Sequence, residues 1–231
     1  MASHIGIVAC SAEGASLCHR TICTEAAKRF GAHAHPELSM HSLSFADYVA
    51  CLDRGDWRGV GELMLASAQK LTVIGANVLI CPDNTIHQAF DYVAPHSSAP
   101  WLHIAEVVAD EAARRGFKRL ALTGTRWLVD SEVYPSKLTP RGIDCVRPTV
   151  AERDTIQRII MDELVNGVFK PEAVATFQRV IARLKGEGCD AVVLGCTEIP
   201  LIIHDGNSPL PTLDSTRLLA QAAVEFAATH P

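Results

Sequence analysis

Aromatic side chains and runs of basic residues are both scarce in this chain. Phe, Trp and Tyr make up 6% of its 231 residues, and the 21 Lys and Arg residues form no long run or stripe. The formal net charge is −5. Proteins that bind nucleic acids need a basic surface, and single-strand binders add aromatic side chains on which bases stack. The composition therefore indicates no nucleic-acid partner.

The chain also lacks a long apolar run. No segment approaches the roughly 20 apolar residues that span a bilayer, although 48% of the residues are hydrophobic. The N-terminal segment shows neither a basic stretch nor a cleavage signal and runs directly into a strand-like pattern. We therefore expect a cytoplasmic protein with no membrane partner, whose eight cysteines are mostly reduced thiols.

Motifs for common cofactors are absent as well. The cysteines are scattered without paired C-x2-C units, and the ten histidines lack the spacing of a closed metal site. No G-x-G-x-x-G, P-loop, G-x-S-x-G or H-E-x-x-H pattern occurs. We therefore expect neither a metal ion nor a nucleotide cofactor.

Short β-rich segments alternate with longer helical patterns along the chain. Apolar runs between turn residues predict strands, and apolar residues three and four positions apart predict helices. The predicted strands are 4–10, 37–43, 77–81, 119–123, 143–147, 191–194 and 210–213. The predicted helices are 15–30, 57–74, 84–90, 104–115, 150–165, 171–185 and 215–228.

This alternation predicts an α/β protein with parallel sheets. Turn-rich segments at 93–100 and 204–209 divide it into two similar lobes, each a parallel sheet flanked by helices. The first lobe is expected to comprise residues 1–98 and 208–231, and the second residues 99–207.

Two strand ends match each other 113 residues apart. When they are laid over each other without a gap, Gly75 falls on Gly188, the apolar runs coincide, and Asp83 falls on Cys196. Ligands of open parallel sheets bind at the carboxyl ends of strands. A carboxylate at one such end and a thiol at the other could transfer protons on both faces of one carbon atom.

Cys196 follows a buried strand at the point where a helix is expected to begin at Thr197. A helix N-terminus lowers the pKa of a thiol from its usual value of about 8.5, and its N–H groups bind carboxylate oxygens. The alternative is that Cys196 is a small core residue, which is a common role for cysteine.

Asp83 has two possible roles. It can cap the helix predicted over 84–90, because Asp is a favoured N-cap residue. It can also act as a carboxylate base, since it is ionised at neutral pH and becomes more basic in a desolvated cleft. The two roles do not exclude each other.

Hydroxyl and amide side chains lie close to both positions and suit either carboxylate oxygens or ordinary turn contacts. His87 and Glu198 follow the two reactive positions closely, so they could tune the neighbouring acid or base, or bond the backbone. The candidate donors to a substrate are Ser11, Asn84, Thr85, Thr125 and Thr197.

These residues resemble the aspartate/glutamate racemase superfamily. The most specific segment is 195–200, which reads Gly-Cys-Thr-Glu-Ile-Pro, and Asn84-Thr85-x-His87 supports it. The resemblance implies two α/β lobes related by pseudo-twofold symmetry, an active site in the cleft between them, and a homodimer. It also implies a small carboxylate or amino-acid substrate and a reaction that needs no PLP, metal or nucleotide.

Members of this family commonly use two cysteines to move a proton on opposite faces of the carbon next to a carboxylate. Carried over to this chain, Cys196 is one of the two, whereas Asp83 stands at the position of the other and Cys81 lies two residues earlier. The residues that would hold substrate carboxylates are Asn84, Thr85, Thr125 and Thr197. We therefore expect a cofactor-independent racemase of aspartate, glutamate or a relative, with Asp83 and Cys196 as the acid/base pair.

Two other functions stay open at this point. Some members of the superfamily decarboxylate substituted malonates with the second cysteine alone, and others isomerise maleate, so a related lyase or isomerase fits the loss of the first cysteine. A non-catalytic binding protein on the same fold is the remaining alternative. Release of carbon dioxide would identify the first, and tight binding without turnover would identify the second.

Overall fold

The computed structural model describes residues 2–230, which form two α/β units. The first unit comprises Met1–Ile104 with Thr216–Pro231, and the second comprises Ala105–Ser215. Each unit contains a four-stranded parallel sheet flanked by helices. The predicted fold class, α/β with two similar parallel sheets, is confirmed.

The two sheets have the same topology. Their strands are β1 (Ile5–Ala9), β2 (Leu38–Ser42), β3 (Val78–Ile80), β4 (Trp101–Leu102), β5 (Arg119–Gly124), β6 (Asp144–Val146), β7 (Ala191–Gly195) and β8 (Thr212–Asp214). The first sheet has the order β2-β1-β3-β4, and the second has the equivalent order β6-β5-β7-β8. All neighbouring strands run parallel.

α-Helices connect most successive strands, as is usual for parallel pairing, whereas β7 is joined to β8 by turns and a short 3₁₀ helix. The α-helices are α1 (Ala12–Phe30), α2 (Phe45–Arg54), α3 (Trp57–Val73), α4 (Phe90–His96), α5 (Ile104–Arg114), α6 (Arg126–Val129), α7 (Pro135–Leu138), α8 (Val150–Asp162), α9 (Pro171–Gly186) and α10 (Ser215–Thr229). Short 3₁₀ helices follow β3 and β7, at Thr85–Ala89 and Ile199–Leu201. No helix among residues 2–230 is both long and apolar enough to span a bilayer.

The predicted match between two strands holds in the structure. Val78 begins β3 and Ala191 begins β7, which are 113 residues apart. Gly75 and Gly188 precede these strands with φ angles of 101° and 89°, a left-handed conformation that favours glycine. Both strands are completely buried, as expected for parallel strands covered on both faces.

Several predicted elements differ from the structure. The helix α2 and the strand β4 were not predicted, and α4 continues to His96 where a crossing between lobes was expected. The helix predicted over 150–165 ends at Asp162, because a 3₁₀ turn and Gly167, with a φ angle of 69°, follow it.

The two units also divide differently from the predicted lobes. The strand β4, expected in the second lobe, pairs with β3 in the first sheet. The strand β8, expected in the first lobe, pairs with β7 in the second sheet. The divisions therefore fall after Ile104 and Ser215 instead of after residues 98 and 207, because each strand stays with the sheet that its hydrogen bonds complete.

Candidate active site

Cys196 lies directly after β7 and contacts a buried carboxylate. Its Sγ donates a hydrogen bond to Oε2 of Glu198 at 3.0 Å, and the hydroxyl of Thr197 donates to the same oxygen at 2.8 Å. Cys196, Thr197 and Glu198 are 8%, 2% and 1% exposed. Electrostatic interactions are strong where water is largely excluded, so the carboxylate is well placed to exchange a proton with the thiol.

The helix predicted to begin at Thr197 is not formed, and that prediction is wrong. A turn follows Cys196, and then the 3₁₀ helix Ile199–Leu201, which has three residues. So short a segment has no substantial dipole. Glu198 takes the place of the expected helix N-terminus as the polar partner of the thiol, and it acts differently. A helix N-terminus stabilises a thiolate, whereas a carboxylate accepts a hydrogen bond from the protonated thiol.

Thr125 and Cys196 follow the carboxyl ends of two neighbouring strands in the second sheet. The strands β5 and β7 are paired with Gly124 opposite Gly195, so the next residue of each strand leaves the sheet at the same level. Oγ1 of Thr125 accepts a hydrogen bond from the N–H of Leu128 at 3.2 Å and caps α6. The strand register therefore places Thr125 and Cys196 at adjacent strand ends, and the cap fixes the Thr125 side chain.

The backbone that leads to Cys196 is tightly held. A Cβ atom at Gly195 would lie 2.6 Å from the carbonyl oxygen of Thr123, so no side chain fits there. The hydroxyl of Ser215 donates to the carbonyl of Leu194 at 2.8 Å. The close approach of β5 and the hydrogen bond from Ser215 together set the position of the thiol.

Asp83 follows β3 in the first unit and caps the turn after it. Its Oδ1 accepts hydrogen bonds from the N–H groups of Thr85 at 2.9 Å and Ile86 at 3.2 Å. These are the contacts expected of an Asp at the start of a helix. They also stabilise the ionised carboxylate, because both donors are aimed at its negative charge. The side chain is half-buried, so the cap is compatible with a charged group at the sheet edge.

The other candidates in the first unit lie at the same sheet edge. The strands β1 and β3 are paired with Ile7 opposite Ile80, so Ser11 and Asp83 follow neighbouring strand ends. Asn84, Thr85 and His87 are all buried.

His87 contributes to the packing of this turn. Its Nε2 donates to the carbonyl of Cys81 at 3.1 Å. The ring stacks on Phe90 with 5.3 Å between centroids and meets the edge of His103 at 4.7 Å. Because a carbonyl only accepts, this hydrogen bond fixes the proton of the neutral ring on Nε2.

Cys81 is a core residue. It is completely buried, and burial raises the pKa of its thiol. The nearby carboxylate of Asp83 adds to this rise, and the backbone N–H of Asp83 opposes it. A thiol that is buried and difficult to ionise is a poor base and nucleophile.

Tyr48 of α2 was not predicted as a site residue. It is completely buried, and burial raises the pKa of its phenol. Cys81, Cys10 and Asp83 act in the same direction, which indicates that the phenol lies near the ends of β1 and β3. The residues three and four positions after Tyr48 are also buried. This helical spacing was the signal that could have identified α2 and its buried face.

The structure thus places the predicted residues at one sheet edge in each unit. Among residues 2–230, no three His, Cys, Asp or Glu side chains come together as a metal site would require. In the first unit the residues are Ser11, Asp83, Asn84, Thr85 and His87. In the second unit they are Thr125, Cys196, Thr197 and Glu198.

Comparisons with known proteins agree with the two-unit α/β fold. The family model for Asp/Glu/hydantoin racemases matches residues 11–223. The broad specificity amino-acid racemase RacX of Bacillus subtilis strain 168 is 25% identical over 166 residues, which cover 71% of this chain and 70% of that protein. The structure of a candidate Asp/Glu racemase from Yersinia pestis has a TM-score of 0.87 and 28% identity, covering 97% of this chain and 99% of that one. For an aspartate racemase homologue from Pyrococcus horikoshii OT3 the TM-score is 0.83 and the identity 27%, covering 98% and 99% of the two chains.

Proposed function

The chain belongs to the Asp/Glu/hydantoin racemase family and is an isomerase of the racemase type, and from this premise we propose that it racemises aspartate, glutamate or a related amino acid with Asp83 and Cys196. The observation that carries the proposal is the 3.0 Å hydrogen bond from the thiol of Cys196 to the buried carboxylate of Glu198. A thiol with a proton acceptor beside it is suited to give a proton to carbon and to take one from it. The similarity to RacX, a broad specificity amino-acid racemase, supports an amino-acid substrate.

In the proposed reaction, two protons move on opposite faces of the α-carbon. The carboxylate of Asp83 takes the α-proton, so a C–H bond breaks and an O–H bond forms. The thiol of Cys196 gives its proton to the other face, so an S–H bond breaks and the new C–H bond forms. In the reverse direction Cys196 must first be a thiolate, and Glu198 takes the thiol proton.

Neutral donors complete the proposed site. Removal of an α-proton places negative charge on the substrate carboxylate, and fixed donors in a buried site stabilise such charge most effectively. The side chains proposed for this role are Ser11, Asn84, Thr85, Thr125 and Thr197, and His87 supports the turn that holds Asp83.

A racemisation assay in heavy water tests this function. Both enantiomers of aspartate, glutamate and several neutral amino acids are supplied separately, and optical activity and α-deuterium are followed. We expect at least one substrate to racemise from both directions, with solvent deuterium on the α-carbon of the product. No exchange and no change of optical activity with any amino acid would reject the function.

The proposal also covers cofactor, assembly and location. We propose that the reaction needs no PLP and no metal, that the protein is a cytoplasmic homodimer, and that it has no nucleic-acid partner. Racemisation that survives treatment with hydroxylamine and EDTA would support the first point. Light scattering that gives about twice the chain mass of 24.9 kDa would support the dimer.

A second candidate function is a lyase or isomerase reaction that uses Cys196 without Asp83. The observation in its favour is that Oδ1 of Asp83 accepts two backbone N–H groups and so has a structural role of its own. Decarboxylation of a substituted malonate requires only one proton donor at carbon. Carbon dioxide release from a panel of malonates, or conversion of maleate to fumarate, without racemisation of any amino acid would select this alternative.

A further inference from the structure

The outer face of α3 exposes apolar side chains at its C-terminal end. Glu62, Ala66, Lys70 and Val73 follow one another at intervals of three or four residues and are all exposed. These intervals place them on one side of the helix. Val73 is 80% exposed, and Ile74, which follows it at the end of the helix, is 59% exposed. Adjacent apolar side chains of this size in solvent are typical of a surface that another molecule covers.

A groove lies beside this face of α3. It has a volume of about 540 Å³ and is formed by α3 and by the segment that ends α4 and follows it. Leu65, Ala66 and Ala68 contribute its apolar atoms, and Ser97 and Ser98 line it from the segment after α4. Such a groove can take apolar side chains of a facing helix.

The charges on this face are arranged around Ala66. Glu62, Ala66 and Lys70 form one ridge of the helix because they are four residues apart. Nε of Arg58 donates to Oε1 of Glu62 at 3.1 Å, and Nζ of Lys70 donates to Nε2 of His41 at 3.1 Å. A carboxylate has a second oxygen, and an ammonium group has two further protons, so both groups can pair with another charge.

This ridge is complementary to a second copy of itself. In the commonest class of helix packing, with a crossing angle near −50°, the i±4 ridges of two helices run side by side. When two copies of α3 cross at Ala66 on a two-fold axis, Glu62 of each copy lies beside Lys70 of the other. The small side chain of Ala66 lets the two helices approach at the crossing point.

We propose that the outer face of α3 is the surface through which two copies of this chain form a homodimer, with the two helices antiparallel and crossing at Ala66. The two-fold axis produces two Glu62–Lys70 ion pairs. Val73, on the same side of the ridge as the groove, lies against the groove of the other copy. The inference rests on the homodimer of the proposed function, and the racemisation reaction does not depend on it.

Charge reversal tests the two ion pairs. Sedimentation over a range of protein concentrations gives the dissociation constant of the dimer. Glu62→Lys and Lys70→Glu each turn both pairs into like charges, because the two-fold axis repeats every contact. Each single variant should raise the dissociation constant by about tenfold or more, since like charges in an interface repel. The double variant has opposite charges again and should lie within about threefold of the wild type.

Val73→Glu tests the contact with the groove, and Val150→Glu is its matched control. Val150 is also an exposed valine, at 66%, but it lies in α8 of the second unit. The control therefore makes the same change of net charge at a different surface. Val73→Glu should raise the dissociation constant by at least about tenfold, because it removes an apolar contact and adds a charge close to Glu62 of the other copy. Val150→Glu should dimerise as the wild type does, and circular dichroism shows whether each variant is folded.

The outcomes separate this surface from the rest of the proposal. Wild-type dissociation constants in Val73→Glu and in both single charge variants would overturn α3 as the interface and leave the homodimer standing. Weaker dimers in the single charge variants without recovery in the double variant would overturn the crossing at Ala66. A wild-type protein that is monomeric at every concentration would overturn the homodimer and this surface together, whereas racemisation by that monomer would leave the proposed reaction intact.

Discussion

At the scale of single residues, Asp83 combines a structural contact with the charge that a base requires. Its Oδ1 accepts the N–H groups of Thr85 and Ile86. Asn caps helices as well as Asp does, but an amide cannot take an α-proton. We expect Asp83→Asn to keep its free energy of unfolding within about 0.5 kcal/mol of the wild type. Its racemisation rate should fall by about 100-fold or more. Urea unfolding and polarimetry measure the two effects.

Asp83→Ala is the matched variant, because it removes both the cap and the charge. It should lose racemisation as Asp83→Asn does and lose about 1 kcal/mol of stability in addition. If Asp83→Asn racemised at the wild-type rate, Asp83 would be a cap only, and a different group would have to take the α-proton on that face.

At the scale of elements, the close approach of β5 and β7 sets the position of Cys196. A Cβ atom at Gly195 would lie 2.6 Å from the carbonyl oxygen of Thr123. We expect Gly195→Ala to lose about 1–3 kcal/mol of stability, since the strands must separate, and to lose activity because the thiol moves. Gly186→Ala is the control, because nothing beyond its chain neighbours and the backbone of α9 lies within 4 Å of that Cβ position. It should be neutral or stabilising, and equal unfolding midpoints for the two variants would contradict the packing argument.

The start of α8 is held by a capping box and an ion pair that share Glu152. The side chains of Thr149 and Glu152 each accept a hydrogen bond from the backbone N–H of the other residue. Arg183 donates two hydrogen bonds of 2.6 Å to the Glu152 carboxylate. Burial acts to raise the pKa of Glu152, but the hydrogen bonds from Arg183 and Thr149 outweigh it, so the pKa is lowered. A carboxyl whose pKa is lower in the folded state stabilises the protein above its unfolded pKa and loses that contribution as pH falls through the folded pKa.

The variant Glu152→Gln tests this pH dependence of stability directly. Gln can keep the capping box but cannot pair its charge with Arg183. We expect the variant to be less stable than the wild type at pH 7, and the difference to shrink below about pH 4 as the wild-type carboxyl becomes protonated. Urea unfolding at the two pH values measures it. An equal difference at both values would show that the ion pair does not contribute.

The elements that could be predicted from the sequence are those with a long or strongly patterned signal. The strands β1, β3, β5 and β7 could be predicted because each is mainly an apolar run between turn residues. The strand β4 has two residues, Trp101–Leu102, and no periodic pattern can reveal an element so short. The ten-residue helix α2 has a clear buried face, but helices of that length depend mainly on tertiary packing, which the sequence does not display.

At the scale of the whole molecule, two units with one strand order carry different reactive groups at equivalent strand ends. Carboxyl groups ordinarily titrate near pH 4 and thiols near about pH 8.5, so Asp83 and Cys196 should differ as acids and bases. Because two enantiomers are equally stable, kcat/KM must be equal in both directions. We expect unequal kcat values with matching differences in KM, and Asp83→Cys should bring the two kcat values closer together. Initial rates with each enantiomer measure these kcat values. If the two kcat values differed as much in Asp83→Cys as in the wild type, this would contradict Asp83 and Cys196 as the acid/base pair.

The sequence match located the candidate site but not the chemistry within it. Cys196, Thr197 and Glu198 are adjacent in sequence, so their proximity could be predicted. The direction of the Glu198 side chain could not, because it depends on the short turn that replaces the expected helix. Ser67 of α3 is buried against His41 of β2, 26 residues earlier, and only tertiary structure reveals such a contact.

The proposed racemisation depends on Cys196 as a proton donor and acceptor at the α-carbon. Its matched control is Cys189, a second buried thiol of the second unit, whose pKa is raised by burial. The most direct measurement follows racemisation and α-deuterium together in heavy water for the wild type, Cys196→Ala and Cys189→Ala. We expect the wild type and Cys189→Ala to racemise, and Cys196→Ala to lose at least about 100-fold in rate. Racemisation by Cys196→Ala at the rate of Cys189→Ala would contradict the role of this thiol.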